Sequence, residues 1–356
     1  MCSLEHHISR AEIGLLRGNE KQAEEHYQIG STSGVGEDMA PVTVIVTGRN
    51  RKGKLGLCLD SLEQQTLRPA QIIYVDTGST DDLLNLVTSR FPGVKIVRNG
   101  SGNPQLGRNL GAIAASQEWL LFSDDDVVLD FQALERMFNY ARVHPETGLI
   151  GGRKASIDPS HGGSTILASY CMASPLWLPR EGRYTSWTGA LRVYTVRNIY
   201  LIKRDVFNRV GGWCENLFIQ FDEVVMCHSV YACGLNVVCL ADALYIDLNR
   251  DRGDELKEIP EVGVSRESLS IRNSIFVTLM GLPAPLILFF TPLSLLLAAA
   301  NSLSKNRIRH YIDGLKSLLK IITSVPIERR VHPRLGVLAE LRLTLGLLVE
   351  EAQDRN

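Results

Sequence analysis

The chain has 356 residues, 45% of them hydrophobic, and a formal net charge of −1. This length supports one large domain with appendages or two domains, and the composition is not that of a disordered protein. The near-neutral charge argues against a dedicated nucleic-acid-binding protein, which would carry a clustered basic excess.

The cysteines and the first residues bear on the compartment. Seven cysteines occur without the spacing of a disulfide framework, and residues 1–30 are charged rather than an apolar signal sequence. Both features favour a reducing, cytosolic environment.

Taken in chain order, the elements begin with an appendage. Residues 10–28 are rich in helix-forming side chains and are followed by a Gly/Ser-rich run at 30–36, so residues 1–38 are predicted to be a helix on a linker. The next segments alternate between strand and helix patterns, with strands at 42–46, 72–75, 94–97 and 119–122 and helices at 55–64, 83–90 and 108–115. This alternation predicts an α/β domain whose sheet is mainly parallel and has helices on both faces.

Three consecutive carboxylates, Asp124, Asp125 and Asp126, follow the fourth predicted strand. In parallel sheets, ligands bind just beyond the carboxyl ends of the strands. Adjacent carboxylates repel one another unless a cation shares them, and hard divalent cations prefer oxygen ligands. The row therefore suggests a site for a metal ion and a diphosphate. The alternative is a solvated acidic turn or a helix N-cap.

Two other predicted strands end in polar residues at the same edge. The first runs into Thr47 and Asn50, and the second ends in Asp76 followed by small turn residues. A carboxylate there can accept hydrogen bonds from a base or ribose, and small residues let a ligand approach the backbone. Together the three strand ends predict a nucleotide-diphosphate site.

The C-terminal part, residues 274–356, has a different character. Residues 274–304 contain no charged side chain, but prolines at 283, 285 and 292 interrupt the run, which favours an embedded or re-entrant hairpin over a clean span. An amphipathic helix is predicted over 308–322, with Arg307, Arg309, Lys316 and Lys320 among its polar positions, which suits an anionic membrane surface. A core helix pair with a surface helix, or a soluble oligomer interface, would give the same pattern.

Several motifs in order resemble the inverting family 2 glycosyltransferases with the GT-A fold. The matching pieces are residues 44–51, 58–62 with Gln65-Thr66, 73–81, Gly107-Arg108-Asn109 with Gly111, the acid row, and Val210-Gly211-Gly212-Trp213. The resemblance spans roughly residues 41–275 and implies a catalytic domain at 39–273 with a Rossmann-like nucleotide-binding half. The proline-broken hydrophobic tail is similar to that of rhamnosyltransferase-like members.

The resemblance implies roles for particular residues. Asp76 would contact the donor nucleoside, and Thr47 and Asn50 would line its pocket. Asp124 with Asp126 would hold a divalent cation, Mn²⁺ or Mg²⁺. The remaining donor-binding positions would be Arg108 and Asn109, near the phosphates or sugar, and Arg272, on the diphosphate. For Arg272, a lipid-headgroup contact is an equal alternative.

Inverting transfer needs a general base for the acceptor hydroxyl. Relatives carry a Glu-Asp pair after the Gly-Gly-aromatic turn, and here the pair is Asp222-Glu223, in reversed order. Register favours Glu223 and residue type favours Asp222; we name both and put Asp222 first. The alternative is that these acids merely begin a helix.

The sequence therefore predicts an enzyme of cell-envelope polysaccharide synthesis, located at the cytoplasmic face of a membrane. It would move a sugar from a nucleotide-diphosphate donor to a glycan or lipid-linked acceptor, with inversion and with help from a metal ion. Two alternatives stay open: a nucleotidyltransferase that uses the same edge, and a non-catalytic nucleotide- or glycan-binding relative.

Overall fold

The computed structural model describes residues 39–157, 166–173, 179–184, 188–248, 257–281 and 284–324. The helix predicted within residues 1–38 lies outside these ranges. The strands are β1 Met39–Gly48, β2 Arg68–Asp76, β3 Lys95–Arg98, β4 Trp119–Asp124, β5 Val127–Leu129, β6 Thr147–Ile157, β7 Ile166–Ala173, β8 Pro179–Tyr184, β9 Ala190–Arg192, β10 Ile199–Lys203, β11 Asn236–Asp247, β12 Glu258–Ile259 and β13 Val264–Ser265. The helices are α1 Lys52–Glu63, α2 Leu83–Arg90, α3 Pro104–Ala114, α4 Ala133–Val143, α5 Arg204–Arg209, α6 Asp222–Ala232, α7 Arg266–Gly281, α8 Ala284–Ser304 and α9 Ile308–Ser324.

One large sheet organises the domain, with strand order β3-β2-β1-β4-β10-β6-β11-β5. Its first four strands are parallel, as the sequence predicts. The other half is mixed: β10 lies antiparallel to both β4 and β6, while β11 is parallel to β6. The α/β prediction with a flanked central sheet is confirmed, and the antiparallel β10 is a feature that the alternating pattern does not predict.

Each face of the sheet carries its own hydrophobic core, because neighbouring residues of a strand point to opposite faces. Val44 and Val46 pack with apolar residues of α1, α2 and α4, whereas Ile45 packs on the other face with residues of α3, α5 and α6. Helix α3 comes very close to β1, since a Cβ at Gly111 would lie 2.4 Å from Ile45 Cγ2. This close contact fixes α3, the helix that carries Arg108, against β1.

The C-terminal helices form a third cluster with the loop before α6. Ile271 and Ile275 of α7 pack with Leu217 and Val224, and Leu318 of α9 joins them. The sequence places a domain boundary between residues 273 and 274, which falls inside α7. Among the described residues, one stretch, Pro285–Ser304, is long and apolar enough by length and composition to cross a bilayer. Pro292 lies within it without ending α8.

Candidate active site

The register of the parallel strands brings the predicted site residues to one edge. Gly48 of β1 pairs with Asp76 of β2, and Thr47 pairs with Asp124 of β4. Asp76 is buried and its Oδ1 accepts a hydrogen bond from the Ser79 N–H at 2.8 Å. The carboxyl ends of β1, β2 and β4 therefore form a continuous polar edge, as expected for a ligand site of a parallel sheet.

The acid row lies against Arg51 and the backbone of β1. Arg51 Nη1 donates to Asp125 Oδ1 at 2.8 Å and to Asp126 Oδ2 at 2.7 Å. A Cβ at Gly48 would lie 1.8 Å from Asp125 Oδ2, so this position has no room for a larger residue. Burial raises the pKa of Asp125 to about 7, and burial together with the charge of Asp124 raises the pKa of Asp126 to about 6.

Arg108 connects the acid row to the acid pair at the start of α6. Its Nη2 donates to Asp124 Oδ1 at 2.7 Å, and its Nη1 donates to Asp222 Oδ2 at 2.9 Å. The guanidinium lies 4.7 Å from the centre of the Trp213 ring. Burial lowers the pKa of Arg108, but the two carboxylates outweigh this effect and raise it, so the group stays charged.

The two acids of the pair differ in their surroundings. Asp222 is buried and bonded to Arg108, whereas the Glu223 carboxylate lies 3.9 Å from Arg197 Nε. Burial, followed by the neighbouring charge of Asp222, raises the pKa of Glu223 to about 7. A carboxyl group that titrates near neutral pH can accept a proton and release it again at working pH.

Three residues that the sequence assigns to donor binding, Thr47, Asn50 and Asn109, differ in their hydrogen-bond partners. Thr47 is buried, and its Oγ1 has no hydrogen-bond partner among the described residues. Asn50, in the left-handed region at φ 55°, uses Oδ1 to accept the Thr80 N–H at 2.7 Å and so joins the loops after β1 and β2. Asn109 bonds the segment that follows Gly212: its Oδ1 accepts the Trp213 N–H at 2.9 Å, and its Nδ2 donates to Glu215 Oε1 at 2.9 Å.

Arg272 bonds the backbone of the loop before the acid pair. It is 3% exposed, and its Nη2 donates to the carbonyls of Asn216 and Leu217 at 3.1 and 2.7 Å. The structure thus brings together Asp124, Asp126, Arg108 and the acid pair, and it gives Asn109 and Arg272 contacts to the loop around residues 213–217. The roles assigned to all of these residues stay predictions.

The oxygen ligands at Asp124 and Asp126 fit a divalent cation. The two carboxylates are near enough for the charge of one to raise the pKa of the other, and the Asp124 side chain is 28% exposed. Among the described residues, no group of three or more His, Cys, Asp or Glu side chains is arranged to hold a metal. Mg²⁺ can be bound by one or two carboxylates with substrate phosphates and water completing its shell, so a metal role for Asp124 and Asp126 stays a prediction.

Some residues of this site receive no role from the sequence. Asn198, at φ 63°, donates from Nδ2 to Asp124 Oδ2 at 3.2 Å, and Gln105 accepts a hydrogen bond from Arg108 at 2.8 Å. The sequence does carry a signal for Arg51, because it is a basic residue directly after Asn50 at the same predicted edge. Asn198 follows no motif, so nothing in the local sequence identifies it.

Comparison with known proteins gives matches over the same region. Residues 43–210 match the family described as Glycosyl transferase family 2. A poly(ribitol-phosphate) beta-glucosyltransferase of Bacillus spizizenii is 30% identical over 120 residues, covering 32% of this chain and 19% of that protein. An N-acetylglucosaminyl-diphospho-decaprenol L-rhamnosyltransferase of Mycobacterium tuberculosis is 24% identical over 196 residues, covering 47% and 62%. The chain thus spans less than two thirds of the length of either curated relative.

The fold has a solved counterpart. The crystal structure of GalNAc-T7 with UDP, GalNAc and Mn²⁺ aligns with a TM-score of 0.56 at 16% sequence identity, covering 67% of this chain and 48% of that one. At this identity the match supports the fold alone.

Proposed function

We propose that this chain, whose residues 43–210 match glycosyl transferase family 2, transfers a sugar from a nucleotide-diphosphate donor with inversion at the anomeric carbon. The observation that carries this proposal is the Arg108 bridge, which joins Asp124 at the end of β4 to Asp222 at the start of α6. The bridge holds the acid row of the donor edge next to the acid pair that would serve the acceptor.

On the donor side, Asp76 and Thr47 would meet the nucleoside, and Asp124 with Asp126 would hold a divalent cation. The support for these roles is the buried carboxylate of Asp76 at the strand end and the unsatisfied Oγ1 of Thr47. A bound cation would neutralise charge on the departing diphosphate. Arg51 and Arg108 keep the acid row from repelling itself when no cation is bound.

On the acceptor side, we assign the general base to Glu223. Asp222 is the weaker candidate, since its carboxylate already accepts a hydrogen bond from Arg108. Glu223 has a pKa of about 7, raised by burial, so at neutral pH it is a stronger base than an ordinary carboxylate. Direct displacement needs one such base on the side opposite the leaving group, and it inverts the sugar carbon.

The acceptor we propose is a lipid-linked or polymeric glycan of the cell envelope, reached at the cytoplasmic face of a membrane. The names of the rhamnosyltransferase and glucosyltransferase relatives support this class of acceptor. Helix α8 supports the membrane location, because apolar side chains on it are exposed: Leu288, Phe289, Leu296 and Leu303 are each more than 60% exposed. Burying such side chains in lipid is favourable by roughly 1.5–3 kcal/mol each.

The decisive experiment is a thermal-shift screen with UDP, GDP, dTDP and their sugars, with and without Mn²⁺ or Mg²⁺. A ligand that binds only the folded state raises the melting temperature by mass action. We expect one nucleotide to stabilise the wild type only when the cation is present, and Asp126→Ala to abolish that shift. If no nucleotide gave a shift, a non-catalytic relative would be the better description. If one does, NMR of the anomeric proton of the transfer product tests inversion.

A further inference from the structure

The loop that precedes the acid pair has an unusual backbone. Within this acid-pair loop, residues 216–221, three non-glycine residues adopt the left-handed region: Phe218 at φ 65°, Gln220 at φ 68° and Phe221 at φ 63°. Side chains with a Cβ rarely adopt this conformation, and they keep it only where surrounding contacts enforce it. Phe221 is also the N-cap of α6, so the conformation of this loop directly sets where Asp222 and Glu223 begin.

Two buried side chains of α7 supply those contacts. Asn273 Nδ2 lies within hydrogen-bond distance of three carbonyl oxygens of the loop, those of Leu217 at 3.0 Å, Ile219 at 2.7 Å and Gln220 at 2.9 Å. Arg272 Nη2 donates to the carbonyls of Asn216 and Leu217, and its Nε donates to Asn273 Oδ1 at 2.8 Å. Because buried carbonyls need partners, these bonds favour this one backbone path.

The guanidinium of Arg272 is occupied by its hydrogen bonds to the loop carbonyls. Burial lowers its pKa to about 10, so it is still charged at neutral pH, yet the described residues provide no carboxylate within ion-pair distance. A buried cation without a counter-ion is costly, and here it is compensated by carbonyl oxygens. To reach a donor diphosphate, Arg272 would have to leave the loop and uncover those carbonyls.

Helix α9 in turn fixes α7. Gly314 lies so close to α7 that a Cβ there would be 2.7 Å from the Ser268 carbonyl oxygen. Ser317 Oγ accepts a bond from Arg272 Nη1 at 3.5 Å. The contacts therefore run without a break from α9, through Arg272 and Asn273, to the loop that carries the acid pair.

We propose that Arg272 and Asn273 are positioning residues that hold the acid-pair loop in its left-handed conformation and so aim the base at the acceptor. The C-terminal helices are then part of the catalytic machinery in addition to any role at a membrane. This inference rests on the proposed transferase function for its catalytic readout. Its structural readout is independent of that function.

The test uses two conservative variants of the full chain. Asn273→Asp removes the Nδ2 donor, and Arg272→Lys keeps the positive charge but loses the several N–H donors of the guanidinium. Hydrogen exchange of residues 216–225 should become faster in both. We expect kcat to fall by about 100-fold, since a misplacement of about 1 Å can cost that much, while the Kd and KM of the donor stay within about twofold. The acid limb of the pH–rate profile should shift as well, because the surroundings of Glu223 change.

Arg204→Lys is the matched control. Arg204 also donates to backbone carbonyls, those of Gln117 and Ala112, but at the opposite end of β4. It should leave kcat and the exchange of residues 216–225 unchanged. A donor Kd that weakens in parallel with kcat would overturn the proposal in favour of a phosphate contact, and so would unchanged loop exchange or an unchanged kcat. If the wild type transferred no sugar, the proposed function would fail. Faster hydrogen exchange of the loop in the two variants would still support the role of Arg272 and Asn273 in holding it, and unchanged exchange would contradict that role.

Discussion

At the scale of residues, the pairing of acids with guanidinium groups determines which carboxylates are available for chemistry. Arg51 bonds Asp125 and Asp126, while Arg108 bonds Asp124 and Asp222. Each guanidinium relieves the repulsion between neighbouring carboxylates. Glu223 lies outside both pairings and is the acid whose pKa burial brings close to neutrality.

This difference predicts distinct outcomes for the two acids of the pair. Glu223→Gln should lower kcat by about 10²–10⁴-fold, the usual contribution of a general base, because it removes the proton acceptor. In the wild type, activity should fall as the pH drops below about 7, since protonated Glu223 cannot act as a base. Initial rates between pH 5 and 9 would show this limb.

Asp222→Asn is the matched comparison, since it also removes one negative charge from the pair. Its rate should fall through the lost bond to Arg108, but the acid limb of the profile should persist at a lower pH, because the charge of Asp222 helps to raise the pKa of Glu223. An acid limb that survives in Glu223→Gln and disappears in Asp222→Asn would reverse the assignment.

At the scale of elements, close helix contacts depend on glycines. Gly111 lets α3 approach β1, and Gly314 lets α9 approach α7. Both crossings support the site from a distance: α3 carries Arg108, and α7 carries Arg272 and Asn273. A side chain added at Gly111 would meet the branched side chains of Ile45 and Val75, and one added at Gly314 would meet the backbone of α7.

Gly314→Val should therefore lower the free energy of unfolding by about 1–3 kcal/mol, the usual cost of overpacking a tight contact. The added Cβ would meet the Ser268 carbonyl oxygen, which is backbone and cannot rotate away. Urea denaturation followed by circular dichroism measures the change.

Gly53→Val provides the same substitution at a helical glycine with open space around it, since nothing lies within 4 Å of a Cβ there. It should stay within about 0.5 kcal/mol of the wild type, as surface substitutions usually do. Equal losses of stability in the two variants would mean that the α7–α9 crossing is not close packed.

At the scale of the whole molecule, the net charge is near zero, but exposed apolar and basic side chains are concentrated in the C-terminal helices α8 and α9. Helix α8 exposes apolar side chains, and the next helix, α9, carries or adjoins five basic residues: Lys305, Arg307, Arg309, Lys316 and Lys320. Tyr311 of α9 donates from its hydroxyl to the Leu295 carbonyl of α8, so the apolar and basic elements are joined. This combination suits an anionic lipid surface, where cations add about 1 kcal/mol each.

Vesicle flotation separates the contribution of the apolar side chains from that of the basic side chains. Leu288→Ser with Phe289→Ser should reduce binding to neutral and anionic vesicles alike, because it removes apolar area. Arg309→Gln, Lys316→Gln and Lys320→Gln together should reduce binding to anionic vesicles only. The control is Ile113→Ser, which removes an 80% exposed apolar side chain from α3. If Ile113→Ser weakened binding as much as the α8 variant, the surface of α8 and α9 would not be the membrane contact.

The amino-acid sequence alone determined the parallel half of the sheet and the edge at which its polar strand ends meet. Alternating apolar and helical periodicities are local, and the carboxyl ends of parallel strands must share an edge, so these patterns are enough to place Asp76 and Asp124 together. Only the tertiary structure decided which side chains meet there. The hydrogen bonds of Asn109 and Arg272, for example, go to Trp213 and to Leu217, far away along the chain, and their donor-binding roles stay predictions. The left-handed Phe218, Gln220 and Phe221 were equally hidden, because such conformations are imposed on non-glycine residues by distant partners and not by their own preferences.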